Sequence, residues 1–81
     1  MMPLTMATPG ERVRIIAILG GHAVRKRLAD LGLTPGTVLN VIQANAHGPL
    51  IVAVKNDARL ALGRGVAHKI QVEFNHHYRR D

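Results

Sequence analysis

Cysteine is absent from the 81 residues, which excludes disulfides, thiolate metal sites and thiol nucleophiles and removes any need for an oxidising compartment. Aromatic side chains are nearly absent as well: tryptophan does not occur, and Phe74 and Tyr78 are the single members of their kinds. Two rings close to one end cannot build the platform on which unpaired nucleobases stack. Long apolar runs are missing too. The longest, Ile15–Leu19 and Leu50–Val54, have five residues each, against the ~20 that a membrane-spanning helix requires. The opening Met1-Met2-Pro3-Leu4-Thr5 has neither the basic segment nor the apolar stretch of a secretory signal. These absences lead to the expectation of a cytoplasmic chain without membrane insertion.

Carboxylates are also scarce. Five Asp+Glu stand against eleven Lys+Arg, a formal net charge of +6 at pH 7. Such an excess favours an acidic partner, whether protein, nucleic acid or anionic surface. What the chain has in quantity is aliphatic: 47% of its residues are hydrophobic. At this length one domain can form, burying about 60–65% of the surface of the unfolded chain, with little room for a deep, dry active site.

Along the chain, Pro9-Gly10 signals a turn that delivers a strand over 12–19. Alternation there puts Val13, Ile15, Ala17 and Leu19 on one face, with Ile16 and Ile18 making the other face apolar in its later half. Gly20-Gly21 breaks the strand. Residues 22–31 then place Val24, Leu28 and Leu31 at i, i+4, i+7, a short amphipathic helix. Gly32 can take the left-handed position of a Schellman cap, Leu33 its hydrophobic contact, and Pro35-Gly36 the centre of a type II turn. Strands are expected at 37–46, 50–54 and 59–62, the last two joined by a tight hairpin at Asn56-Asp57. Residues 63–68 read as one helical turn or a compact corner. Lys69–Phe74 alternates throughout, burying Ile70, Val72 and Phe74. The expected domain covers 1–74, and 75–81 is expected to form a flexible basic tail. The fold class is thus mainly β: a small, partly open five-stranded barrel with one short α-helix inserted after the first strand, and the first and last strands adjacent.

The order of motifs resembles the FeoA family. It is carried by Pro9-Gly10-Glu11, Gly20-Gly21, the run Arg27-Leu28-Ala29-Asp30-Leu31-Gly32-Leu33-Thr34-Pro35-Gly36, then Gly48-Pro49, Ala61-Leu62 and Ile70-Gln71-Val72. The similarity spans about residues 4 to 73. It implies an SH3-like barrel that serves as a small non-enzymatic accessory of ferrous iron uptake, binding and modulating a FeoB-type transporter through its cytosolic G domain. The surface assigned to that contact is the helix and the turn behind it: Arg25, Lys26, Arg27, Leu33 and Pro35. Read from the residues alone, Arg25-Lys26-Arg27 is either a solvated helix face or a docking site for an acidic partner. Arg12, Arg14, Arg59 and Arg64 could extend the positive surface.

No catalytic or metal constellation emerges. Threonine and lysine are the available nucleophiles, and none stands in a recognisable relation to a base and an orienting acid. His22, His47, His68, His76 and His77 lack ligand spacing, and Glu11, Asp30, Asp57, Glu73 and Asp81 are scattered. His76-His77 with Asp81 could hold a transition metal weakly, although a solvated tail accounts for the same residues. Neither Gly20-Gly21 nor Gly63-Arg64-Gly65 completes a phosphate-binding pattern. No cofactor is expected. Two other functions stay open at this point: a nucleic-acid-binding barrel, weakened by the lack of aromatics, and a transition-metal-binding regulatory module that would recruit ligands across a homo-oligomer.

Overall fold

A computed structural model describes residues 1–75. Its elements, in chain order, are β1 (Met2–Pro3), β2 (Arg12–Ile18), α1 (His22–Asp30), β3 (Val38–Ala44), β4 (Leu50–Ala53), β5 (Arg59–Leu62), α2 (Arg64–His68) and β6 (Ile70–Phe74). The strands form one antiparallel sheet in the order β1-β6-β2-β3-β4-β5. β2 and β6, the first and last strands expected from the sequence, lie side by side, as the small-barrel reading requires. One point differs from the sequence expectation. There are six strands, because Met2–Pro3 adds a short ladder on the outer edge of β6, too brief to show any alternation. The barrel is partly open, as expected, with β1 and β5 remaining as separate edges.

Two bulges reset the faces of the strands. In β2 the register passes from Ile15↔Val72 to Ala17↔Gln71, and in β3 from Val41↔Val52 to Gln43↔Ile51. Each inserts one extra residue and bends its strand. After the first bulge the inward position belongs to Ile18, which is buried, while Ala17 is half-buried and Leu19 exposed. The simple alternation through Ala17 and Leu19 therefore fails beyond Ile15. The core, built from Val13, Ile15, Leu39, Val41, Val52 and Val72 among others, is closed below by Leu4 and Ala67. Phe74, expected inside, is 44% exposed at the end of β6.

The same turn admits the chain to both central strands. Thr8-Pro9-Gly10-Glu11 leads into β2 and Thr34-Pro35-Gly36-Thr37 into β3; each is closed by an N–H donated to the first threonine carbonyl, at 3.1 and 3.0 Å. Each third residue is a glycine at positive φ, +92° for Gly10 and +99° for Gly36, as a type II turn demands. The Gly10 N–H donates to the Val41 carbonyl at 2.8 Å and the Gly36 N–H to the Ile15 carbonyl at 2.7 Å. Val41 and Ile15 are the residues at which the two bulges begin. The β2–β3 ladder is thus clamped at both ends by one repeated device. The hairpin after β4 uses Asp57 at φ +61°, beside Asn56 as expected. α2 occupies the corner after β5.

Candidate functional site

α1 begins at Gly21, whose extended backbone supplies the N-cap without a side-chain hydrogen bond. Nine residues are too few to hold a helix by propensity, so its burial against the barrel must do so. Leu28 is 2% exposed and Val24 half-buried. The end is a full Schellman motif: Leu33 N–H donates to the Leu28 carbonyl at 2.8 Å and Gly32 N–H to Ala29 at 2.9 Å, with Gly32 at φ +86°. This reversal returns Leu33 over Leu28, and Leu33 is completely buried. Two expectations are corrected. Leu31 at the C-cap is 45% exposed instead of completing the buried stripe. Leu33, assigned to a partner, has no surface to offer one, because the cap folds it into the core.

The other assigned residues are on the surface. Arg25, Lys26 and Arg27 are all exposed. Arg25 donates to the Gly20 carbonyl at 3.1 Å, and Lys26 faces Asp30 at 3.4 Å one turn on. That pair is two-thirds exposed on both sides, so it contributes only a few tenths of a kcal/mol. Arg27 edges a 140 Å³ cleft lined by Ala23, Val24, Leu28 and Val66, between α1 and α2. Pro35 lies apart from these three, in a larger groove of 780 Å³ that Arg25, Lys26 and Arg27 do not line. One wall of that groove is Leu31 and the Thr34–Thr37 turn; the other is Arg12, Val38, Asn40, Val54 and Lys55. Lys55 was not singled out by its sequence context, a lone cation before a hairpin. Of the arginines that could extend the positive surface, Arg14 pairs with Glu73 and Arg64 donates to the Asn45 carbonyl.

Among the described residues no three His, Asp or Glu side chains gather as a metal site. The pair His76-His77 and Asp81, and the tail expected over 75–81, fall outside them from residue 76 on. No polar or charged side chain of the described part is buried. No described helix is long and apolar enough to cross a membrane.

A model of the FeoA domain matches residues 2–74. The chain belongs to the FeoA family. Its curated relative in Methanocaldococcus jannaschii, named "Putative Fe(2+) transport protein A", is 41% identical over 73 residues, which cover 90% of this chain and 87% of that one. Among solved structures, a crystal structure of an iron uptake regulatory protein (FeoA) superposes with a TM-score of 0.82 at 38% identity, covering 88% of this FeoA chain and 93% of the other. The solution structure of FeoA from Chlorobium tepidum gives 0.80 at 32%, covering 91% and 70%. A manganese-dependent transcriptional repressor gives 0.81 at 22%, covering 89% of this chain and 35% of the repressor; that likeness shows the fold alone. The mainly β, SH3-like architecture is shared across these FeoA proteins.

Proposed function

We propose that this FeoA chain is an accessory of ferrous iron uptake that acts by contact and not by catalysis, binding the cytosolic G domain of a FeoB-type transporter and modulating it. The observation that carries the reading is family membership over residues 2–74, with relatives named for Fe(2+) transport and iron uptake regulation. The surface supports it: the exposed run Arg25, Lys26 and Arg27 is presented on α1, and Pro35 on the hydrogen-bonded turn that leads into β3. Exposed cations on a fixed frame steer and orient an acidic protein partner.

Co-purification of the full chain with the transporter's cytosolic domain, without nucleotide and with guanosine diphosphate or a triphosphate analogue, tests the proposal. Binding in at least one state is expected, and the Arg25→Glu/Arg27→Glu variant should weaken it while keeping its fold. A folded adaptor that binds in none of these states overturns the reading. Strong binding to duplex DNA that collapses with added salt would instead favour a nucleic-acid function, because phosphate neutralisation releases counterions.

A further inference from the structure

The groove that Pro35 lines has one sign of charge. Among the described residues, Arg12 and Lys55 are the charged ones on its walls, and no carboxylate lines it. Neither side chain has a hydrogen-bond or ion-pair partner among the described residues: Asp57, two residues from Lys55, forms no ion pair with it, and the other three described carboxylates are engaged elsewhere. Glu73 takes Arg14, Asp30 takes Lys26, and Glu11 accepts the Thr8 N–H at 2.7 Å. Register explains why Arg12 is left over. Arg14 lies opposite Glu73, whereas the row through Arg12 continues to Asn40, Ala53 and Arg59, with no acid in it. Both walls also carry apolar side chains: Leu31, 45% exposed, and Pro35 on one, Val38 and Val54 on the other.

We infer that this groove docks an extended acidic peptide segment of a partner protein, with carboxylates at Arg12 and Lys55 and an apolar side chain against Leu31 and Val54. The inference rests on the adaptor reading and names the chemistry of the partner segment. Charge complementarity selects the occupant. A second copy of this chain would bring +6 against +6, a repulsive encounter. A nucleic acid strand would meet two cations but a lining with no aromatic ring to stack on. The Ile15–Gly36 and Ile15–Thr37 backbone bonds, at 2.7 and 2.9 Å, hold one wall to the sheet that carries the other, so the groove exists before binding and little ordering is needed.

Amide spectra of the full, isotope-labelled chain titrated with the peptide Ser-Glu-Glu-Leu-Glu-Glu-Ser test this. The amides of Gly32, Gly36, Thr37, Asn40 and Lys55 should shift. Replacing the peptide's glutamates by glutamine, or its leucine by serine, should weaken binding several-fold. The Arg12→Glu/Lys55→Glu variant, its spectrum otherwise unchanged, should lose at least about tenfold in affinity, the scale of opposed interfacial charges. Shifts centred on Arg25–Arg27, unchanged affinity in the double variant, or equal shifts with an oligothymidylate and with the serine peptide would each overturn the inference. The two proposals fail separately. If the double variant co-purifies with the transporter domain as well as the unaltered chain, the groove assignment falls and the adaptor reading stands; if the unaltered chain does not co-purify, the adaptor reading falls and the titration still decides the groove.

Discussion

Leu28 belongs to two structures at once: its carbonyl closes the Schellman cap of α1 and its side chain lies in the core with Leu33. Truncating it leaves a cavity that the cap cannot collapse into without breaking, so Leu28→Ala should cost about 2–5 kcal/mol. A domain of this size has a total stability of about 4–12 kcal/mol, so the variant should show a lowered urea midpoint and partial unfolding on mild warming. Gly36→Ala tests a different term. A Cβ there would meet nothing within 4 Å, so no clash arises and the cost is the backbone strain at φ +99° alone. The expected loss is about 1–2 kcal/mol, read as a lower midpoint with an unchanged slope in urea. A loss near zero would mean that the turn relaxes out of its type II geometry. Arg25, Lys26 and Arg27 were legible as an exposed run because helical periodicity fixes which face an isolated helix turns outward. Leu33 was legible as the hydrophobic contact of the cap at Gly32, and its assignment to a partner fails because that contact leaves it buried while Leu31 stays outside.

At the scale of elements, the chain declared its punctuation more clearly than its faces. Gly32, the Pro9-Gly10 and Pro35-Gly36 pairs and the Asn56-Asp57 hairpin all stand where turns form, because those residues meet backbone requirements that are local. Bulges are not local. Those starting at Ile15 and Val41 coincide with the carbonyls that Gly36 and Gly10 engage from other parts of the chain, and no alternation pattern in β2 alone reveals that partner. For the same reason the meeting of Arg12 and Lys55 in one groove was invisible: it depends on three strands pairing in the observed register. One element remains under-stabilised. α1 opens at Gly21 with no side-chain cap and no acidic residue in its first turn. Gly21 has an ordinary φ of −82° and open space where a Cβ would go. Gly21→Ser should therefore add several tenths of a kcal/mol through a side-chain cap and a less flexible unfolded chain, visible as a rise of a few degrees in Tm.

For the molecule as a whole, the decisive fact is where β6 goes. β6 is inserted between β1 and β2, not appended to an edge, and it carries Ile70 and Val72 with no exposure. Until 70–74 arrives, the inner face of β2 has no neighbour on that side and β1 has nothing to pair with. Folding is thus forced to wait for contacts between distant parts of the sequence, which makes such small barrels slower than helical domains of equal stability. It also makes the domain indivisible. The Asn75 N–H donates to the Arg12 carbonyl at 2.9 Å, one residue past β6. A chain ended after Asn75 keeps every described strand and core residue and should melt cooperatively within a few degrees of the full chain. A chain ended after Lys69 should show no cooperative transition by circular dichroism, because the sheet loses β6, which pairs with β2, and β1 together. Cooperative melting of the shorter chain would mean that β2–β5 form a core without β6, and the pairing of β2 with β6 would then be an addition to the fold and not its closing step.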